Sequence, residues 1–398
     1  MSRVPGEPGP GEPAEAAAAP RLADRLGALD VIVCCGSGGV GKTTVSAALA
    51  AAIASTSDRR VMVLTIDPAR RLASALGMAG LGADPIAVSP TRLREAGLPL
   101  RGQLVAATLD QKSVWDRMVE RYSPSRQVAR RILQNRFYQG ISDAFAGSHE
   151  YAALEALYEL HEEGEYDCLV VDTPPSRSAL DFLEAPERVA DFVGARLLSW
   201  LAHPSRLGFH AMNLAAAPLL HIADRLLGSE MLGELGDFVG DLQTLYGGVQ
   251  QRARAVGRLL RSRRVGFVLV TTLEAPACAE AERFASTLRE LSMPLRALVI
   301  NRVLPNLLTD EAAIRAADIL VDDHRGARAL GRALGVPVDA ASAAALGRAH
   351  RLLSELARRE AGQLTRLGRL TDVPSVEVPL ITAPVSDLEG LVRVAGML

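Results

Sequence analysis

The feature that most constrains this chain is the segment at residues 31–49, with the sequence VIVCCGSGGVGKTTVSAAL. Its first five residues form a short apolar run rich in β-branched side chains, which is typical of a buried parallel strand. Residues 36–43 then match the pattern G-x-x-x-x-G-K-[ST] at every fixed position, and small and apolar residues at helical spacing follow. A strand, a glycine-rich turn and a helix in this order predict a phosphate-binding loop.

Each part of this segment has a physical role toward a triphosphate. Glycines let the backbone curl with its N–H groups turned toward phosphate oxygens, and the N-terminus of the helix adds donors and partial positive charge. The Lys42 ammonium can reach the β- and γ-phosphates, and the Thr43 hydroxyl can bind Mg²⁺ directly. We therefore predict that the chain binds a nucleoside triphosphate.

The use of cationic residues supports this prediction. Lys42 and Lys112 are the only lysines in the sequence, whereas arginine occurs 42 times. A chain that places arginine at nearly every cationic position retains lysine where a compact ammonium must fit inside a phosphate cradle. The alternative is a glycine-rich turn that only joins a strand to a helix, and it is the less favoured interpretation.

Composition excludes several other classes of protein. The 398 residues are 48% hydrophobic, which is enough for a large α/β core, and the net charge is −2. This charge argues against a general nucleic-acid binder, so no nucleic-acid partner is expected, and the arginine-rich stretch at 252–264 is interpreted as a solvated helix face. The four cysteines lie in or beside predicted strands without a C-x-x-C pair, which favours neither disulfides nor a metal site and indicates a cytoplasmic protein.

The sequence also predicts how the chain is divided. Residues 1–20 contain five prolines and three glycines and lack an apolar run, so we expect a disordered tail rather than a signal peptide. The remainder divides into a first part of an α/β core at 21–184, a leucine-rich helical subdomain at 185–262, and a second core part at 263–398 that includes a helical segment at 310–370. The subdomain is interpreted equally as an apolar surface for a client, a membrane face or a partner, and as an ordinary helical core. Its uncharged stretch at 207–223 is too short to span a membrane, although peripheral association with one stays open.

Two aspartates end predicted strands. Further strands are expected from short apolar runs at residues 61–66, 104–109, 167–172, 265–271, 295–300 and 376–380. The carboxyl ends of parallel strands share one edge of the sheet with the phosphate loop, so Asp67 can position a water against the γ-phosphate. Capping of the following helix is an equally consistent role for Asp67. Asp172 ends a four-residue apolar run, which is typical of the Walker B carboxylate that faces the hydration shell of Mg²⁺.

Four motifs, in order GSGGVGKTT (36–44), TIDPARRLASALG (65–77), VVDTPPSRSALDFL (170–183) and VINR (299–302), carry a resemblance to a known family. Together they resemble the arsenical-pump and tail-anchored-protein-targeting ATPases, the ArsA-type branch of the deviant P-loop ATPases. The segments CCGSGGVGKTT, LTIDPARRLA and GSHEYAALEALYEL are more similar still to the single-P-loop anion-transporter ATPase homologues of actinobacteria. The resemblance covers about residues 30–398. It implies an α/β P-loop NTPase fold with a mostly parallel sheet of seven or eight strands, and a dimer that opens and closes with ATP binding and hydrolysis.

The resemblance also implies roles for individual residues. Asp67 and Lys42 are the predicted catalytic residues, and Asp67 matches the aspartate that activates water. Mg²⁺ would be bound directly by Thr43 and through water by Asp172 and Asp67. Asn301 matches the residue that reads the adenine edge. The predicted nucleotide-binding residues are Gly36, Ser37, Gly38, Gly39, Val40, Gly41, Lys42, Thr43, Thr44, Glu274, Asn301, Arg302, Pro379 and Leu380. The implied cofactors are ATP and Mg²⁺.

The sequence departs from the family's pattern at Ser37, where GKGGVGKT has a signature lysine that supplies charge to the phosphates of the partner subunit. Without this lysine we expect slow hydrolysis by the isolated chain, unless Arg70, Arg71 or Arg177 substitutes, and a heterodimer with a paralogue that carries the lysine. The sequence also lacks the zinc-binding C-x-x-C pair and the arsenite-binding cysteine trio of relatives. A membrane protein or hydrophobic client at 185–262 is the other predicted partner.

Alternatives to a hydrolysing motor remain open from the sequence. The first is a nucleotide-dependent switch or scaffold with little turnover. The second is a partition- or site-placing ATPase, which the large helical insertion and the lack of a terminal basic amphipathic helix disfavour. An iron–sulfur reductase component is disfavoured because the cysteines lie in strands rather than on loops.

Overall fold

A computed structural model describes residues 20–66, 71–141, 148–173, 229–322, 324–381 and 387–398. One sheet of eight strands forms its centre, in the order β3-β4-β2-β5-β1-β6-β7-β8. All neighbouring strands pair in parallel except the short β3, which is antiparallel to β4. The strands are β1 Val31–Cys35, β2 Arg60–Thr65, β3 Ile86–Ala87, β4 Gln103–Thr108, β5 Cys168–Asp172, β6 Val265–Thr271, β7 Leu295–Val303 and β8 Ser375–Pro379. The predicted mostly parallel α/β sheet is confirmed.

Helices cover both faces of this sheet. Those in the described residues are α1 Leu22–Leu26, α2 Lys42–Thr56, α3 Arg71–Ala75, α4 Pro90–Glu95, α5 Gln111–Tyr122, α6 Arg126–Gln134, α7 Arg136–Ile141, α8 Ser148–Glu163, α9 Ser229–Leu260, α10 Ala275–Glu290, α11 Glu311–Asp322, α12 His324–Leu334, α13 Ala340–Gly368 and α14 Leu388–Met397. A short 3₁₀ helix, Asn306–Thr309, precedes α11. Residues 1–19 of the tail predicted at 1–20, and residues 185–228 of the predicted subdomain, lie outside the described residues.

The central strand β1 shows why these residues form a two-sided core. All five of its side chains are buried, and they alternate between the two hydrophobic clusters on opposite faces of the sheet. Val31 and Val33 join the cluster that contains α5, α8, α9 and α10, whereas Ile32 and Cys34 join the cluster that contains α2 and α14. A strand buried on both faces must be apolar throughout, which is why the sequence reads VIVCC without alternation.

The helix α9 is the described end of the leucine-rich segment. Its apolar residues Phe238, Leu245, Val249 and Val256 belong to the same cluster as one face of the sheet. A buried ion pair also attaches it, because the Arg252 Nε donates to Glu155 Oε1 of α8 at 2.7 Å. The guanidinium lies over the Tyr158 ring at 4.0 Å and is hydrogen-bonded to Glu162. This end of α9 is thus packed as part of the core.

The four cysteines are all buried and unpaired. Cys34 and Cys35 lie in β1, Cys168 in β5, and Cys278 in α10 directly after β6. Burial raises the pKa of Cys34 and Cys168 to about 12, and it raises the pKa of Cys35 and Cys278 as well. The thiols therefore stay protonated and serve as small apolar core groups. None of the helices in the described part of the chain is both long and apolar enough to cross a bilayer.

Candidate nucleotide-binding site

The loop between β1 and α2 has the curled backbone that its glycines predict. Gly36, Gly39 and Gly41 have φ angles of 145°, 82° and 94°, and Gly41 is the N-cap of α2. A Cβ at Gly36 would overlap the carbonyl of Val270 in β6, and one at Gly41 would overlap the Asn301 amide. These two positions therefore require glycine both for their backbone conformation and for space.

A comparison of two glycines in this loop tests the crowding at Gly36. Replacing Gly36 with alanine should lower the free energy of unfolding by about 2–4 kcal/mol, because strain at positive φ adds to an overlap with fixed backbone. Replacing Gly39 with alanine also places a side chain at positive φ, here 82°, but nothing lies within 4 Å of the added Cβ, so its cost should be smaller. Urea unfolding of both variants measures the difference, and equal losses would contradict the crowding at Gly36.

Lys42 lies beneath the loop as the first residue of α2. Its side chain is only 6% exposed, and its Nζ donates to the carbonyls of Gly36 and Ser37 at 2.9 and 2.8 Å. Burial lowers the pKa of the Lys42 ammonium from its usual value, and the negative charge of Asp172 opposes that shift. Thr43 and Thr44 follow in the first turn of α2 and are half-buried. The positive charge of Lys42 therefore lies inside the curled loop, bonded to two of its carbonyl groups.

Asp172, at the end of β5, accepts a hydrogen bond from a hydroxyl group of the neighbouring strand β2. It is 1% exposed, and the Thr65 hydroxyl at the end of β2 donates to its Oδ2 at 3.1 Å. The next residue, Thr173, donates through its Oγ1 to the Cys34 carbonyl of β1 at 2.9 Å. Sequence reasoning missed Thr65 and Thr173 as supporting residues. Their signal is a hydroxyl residue at the end of a buried strand beside the strand of the phosphate loop.

Asn301 lies where β7 is interrupted by a bulge. The pairing with β8 shifts register between Asn301 and Val303, and Arg302 has a positive φ of 61°. The Asn301 Nδ2 donates to the Val40 carbonyl at 2.8 Å, and its Oδ1 accepts from the Arg302 N–H. In this structure Asn301 is therefore bonded to the phosphate loop. Its contact with adenine stays a prediction.

The other predicted site residues fall into two groups, those that the structure describes near the phosphate loop and those outside the described residues. Glu274 is exposed as the N-cap of α10, and Pro379 and Leu380 are exposed at the end of β8, so all three lie at the carboxyl edge of the sheet. Arg71 is exposed at the start of α3, and its positive charge contributes to lowering the Lys42 pKa. The predicted water-activating Asp67, together with Arg70 and Arg177, lies outside the described residues.

The residues present fit ATP and Mg²⁺. The glycine curl, the helix N-terminus and the buried ammonium suit a polyphosphate. The Thr43 hydroxyl and the Asp172 carboxylate are oxygen ligands of the kind that Mg²⁺ prefers. Within the described residues, no group of three His, Cys, Asp or Glu side chains could hold a metal ion. A Mg²⁺ ion bound at such a loop takes most of its ligands from phosphates and waters.

Comparisons with known proteins agree with this geometry. The family model for anion-transporting ATPases matches residues 29–318. A putative arsenical pump-driving ATPase of Chlorobaculum tepidum is 32% identical over 162 residues, which cover 39% of this chain and 35% of that relative. The chain thus spans about a third of the length of that relative. The ATPase GET3 of Malassezia globosa is 24% identical over 274 residues, covering 69% of this chain and 72% of the relative. A putative arsenical pump-driving ATPase 2 of Aquifex aeolicus is 24% identical over 281 residues, covering 69% and 81%.

Proposed function

Since this chain belongs to the anion-transporting ATPase family, we propose that it hydrolyses ATP in a Mg²⁺-dependent reaction that drives a transport- or targeting-type motor. The observation that carries the proposal is a complete phosphate loop whose buried Lys42 lies within electrostatic range of Asp172 at the carboxyl edge of a parallel sheet. The names of the relatives support it, because they describe ATPases that drive a pump.

The chain's own residues suggest a division of labour in this reaction. Backbone N–H groups of the loop and the Lys42 ammonium would orient the phosphates and offset the negative charge that develops on them. Thr43 would bind Mg²⁺ directly and Asp172 through water, and the hydrogen bond from Thr65 would hold the Asp172 carboxylate in one orientation. When bound, Mg²⁺ would supply further charge neutralisation for the transferred phosphate. Asp67 would orient the attacking water.

A variant at Asp67 separates hydrolysis from binding. Asp67→Asn should lower Mg²⁺-dependent turnover at least about a hundredfold, because the water loses its base, while ATP binding changes little. Steady-state phosphate release and equilibrium binding of a fluorescent ATP analogue measure the two effects. A wild-type chain that binds ATP without turnover, and whose association with partners survives Asp67→Asn, would instead support the alternative function of a nucleotide-dependent switch or scaffold.

We further propose that the chain works as a dimer, and preferably as a heterodimer with a paralogue that carries the signature lysine. Ser37 occupies the position of that lysine, and the next two residues, Gly38 and Gly39, are exposed at the apex of the loop. The apex is therefore open to a side chain from a second subunit. Arg71 remains a candidate substitute within this chain, because its charge acts on Lys42.

Restoring the lysine tests the proposed reason for slow turnover. Ser37→Lys should raise steady-state ATP hydrolysis by paired copies of the chain roughly tenfold, because the lysine of each copy adds a donor for the transition-state charge on the other copy's phosphates. Ser37→Gln, which is similar in length but neutral, serves as the matched control and should show no gain. Equal rates for the wild-type chain and Ser37→Lys would contradict a deficit at this position.

The client surface of the motor is proposed to lie at residues 185–262. The described part of this segment is α9, which is packed on α5, α6 and α8. A helix attached in this way can transmit a movement of the core to whatever the segment binds. A hydrophobic client or a membrane protein would be the partner, and the cytoplasm the place of action.

A further inference from the structure

The helical segment between β7 and β8 carries most of the large apolar side chains that are exposed to solvent. Of eleven such side chains in the described residues, eight lie between residues 307 and 356. Four of them are leucines of the long helix α13, and Leu352 is the most exposed of the four at 69%. Contiguous exposed apolar groups of this kind mark interaction surfaces.

The helix α13 carries apolar side chains on its packed side and also on part of its exposed surface. One side packs on α11 so closely that a Cβ at Gly347 would lie 2.6 Å from the Ala317 carbonyl oxygen. Ala343, Ser354 and Ala357 are buried on the same side of α13. Of the exposed leucines, Leu352 and Leu356 lie on the opposite side of the helix, and Leu346 and Leu353 lie on its flank, at about 100° per residue. Apolar side chains that extend beyond the packed side of a helix need a second apolar environment.

The two helices that carry most of these leucines are basic. Residues 324–370 contain nine arginines against three acidic residues, whereas the preceding segment 310–323, which includes α11, contains five acidic residues and one arginine. Arg348 and Arg359 are exposed beside the leucines of α13, and Glu355 is the one acidic residue in the stretch 346–359. Arg351 is paired with Asp318, whereas Arg348 and Arg359 have no carboxylate partner among the described residues.

A second basic feature adjoins the start of α13. An open cavity of about 990 Å³ lies here. It is lined by Arg328 and Arg332 of α12 and by Val336, Pro337 and Val338 of the following turn. Neither arginine has a carboxylate partner in the described part of the chain. Leu334 and Val336, at the end of α12 and in this turn, are exposed. Basic and apolar groups are thus combined here as they are on α13.

We propose that these residues form a docking surface for an anionic lipid membrane. The proposed surface, called the arginine–leucine face, combines Leu346, Leu352, Leu353, Leu356, Arg348 and Arg359 of α13 with Arg328 and Arg332 of α12, a helix that packs on α13. Leucine side chains enter the boundary between headgroups and acyl chains, while arginines bind lipid phosphates. A second copy of the chain would bring arginines against arginines, so charge complementarity favours an anionic occupant. The leucines extend about 15 Å along one helix, which suits a broad surface.

Lipid binding by the full-length chain is the test, with vesicles of phosphatidylglycerol and of phosphatidylcholine as probes. Sedimentation with phosphatidylglycerol vesicles should be strong and should weaken with added salt, and binding to phosphatidylcholine should be weak. Leu352→Gln/Leu353→Gln and Arg328→Gln/Arg332→Gln should each lower the partition coefficient roughly 30-fold. All four positions are exposed, so the melting temperature should stay unchanged.

Matched controls decide whether the effect belongs to this face. Arg126→Gln/Arg130→Gln removes the same charge from exposed positions of α6, and Met397→Gln removes an exposed apolar group of α14. Both controls should bind phosphatidylglycerol as the wild type does. The inference is wrong if the wild type does not bind these vesicles, or if the controls weaken binding as much as the test variants.

The proposal is also wrong if sedimentation velocity shows that Leu352→Gln/Leu353→Gln converts a dimer into monomers, since a protein surface would then cover the face. ATP turnover in solution should be unchanged in every variant, because no substituted residue belongs to the phosphate loop. Loss of lipid binding with intact turnover therefore concerns this face alone, and a failed ATPase assay leaves the vesicle result standing.

Discussion

Lys42→Ala should abolish most Mg²⁺-dependent ATP hydrolysis, with a loss of about a thousandfold in turnover. Removing one preorganised donor from a transition-state site costs a factor of about 10²–10³. In this chain Lys42 also holds the loop, through its hydrogen bonds to the carbonyls of Gly36 and Ser37. The variant loses the charge and the loop support together, so we expect the upper end of that range.

The chain offers a natural control for this variant. Lys112 is the only other lysine, and it lies in α5, where its Nζ pairs with Asp116 at 2.7 Å and is exposed. Lys112→Ala should leave turnover unchanged. A coupled assay for phosphate release compares the two variants with the wild type. If Lys42→Ala keeps more than about a tenth of the wild-type rate, the ammonium is not the main cation of the site.

Arg252→Met should be the most destabilising of the stability variants, at about 3–5 kcal/mol of unfolding free energy. Arg252 is 8% exposed and its partner Glu155 only 2%, so removing the guanidinium leaves a buried carboxylate without its counter-charge. The variant also loses the stacking on the Tyr158 ring. Urea unfolding measures the loss, and the double variant Arg252→Met/Glu155→Leu should recover much of it.

A less buried ion pair of α9 provides the control for Arg252. Arg131 of α6 pairs with Asp241 of α9 at 2.6 Å, and the two side chains are 55% and 15% exposed, against 8% and 2% for Arg252 and Glu155. Arg131→Ala should therefore cost much less, because water can solvate the remaining carboxylate. Equal losses for the two variants would contradict the role given to burial.

The loss of unfolding free energy in Arg252→Met should depend on pH. Burial raises the pKa of Glu155, and Arg252 acts in the opposite direction, so removing Arg252 raises this pKa further. A carboxyl group whose pKa is higher in the folded than in the unfolded state destabilises the fold as the pH rises through the folded-state pKa. The variant should therefore be closest to the wild type in mildly acidic buffer and furthest from it at neutral and alkaline pH.

Much of this architecture follows from local patterns in the sequence. The phosphate loop, the neighbouring parallel strands and the acidic residue at the end of β5 could all be predicted, because each is encoded within a short stretch of chain. Strand ends were predicted within one residue, except in β7, which continues to Val303 through the bulge at Asn301 and Arg302. A bulge depends on the partner strand, and no local periodicity signals it.

Contacts between distant parts of the chain could not be predicted. The hydrogen bond from Asn301 to Val40 joins residues 261 positions apart, and that from Thr65 to Asp172 joins residues 107 apart. The two-residue strand β3 was also missed, because it is exposed and too short for an apolar pattern. In each case the outcome depends on which strands become neighbours, and this is set by the sheet as a whole.

Because its native cysteines are buried, the chain can be labelled with a fluorophore at a cysteine introduced at a chosen site. All four native thiols are buried, and burial raises their pKa, so a maleimide fluorophore should not react with them in the folded protein. It should react with a single cysteine introduced at an exposed position. Leu352→Cys on α13 and Arg254→Cys on α9 would each give such a label without removal of any native thiol. Their emission spectra would then report the polarity around each helix, in real time, as nucleotide or lipid is added.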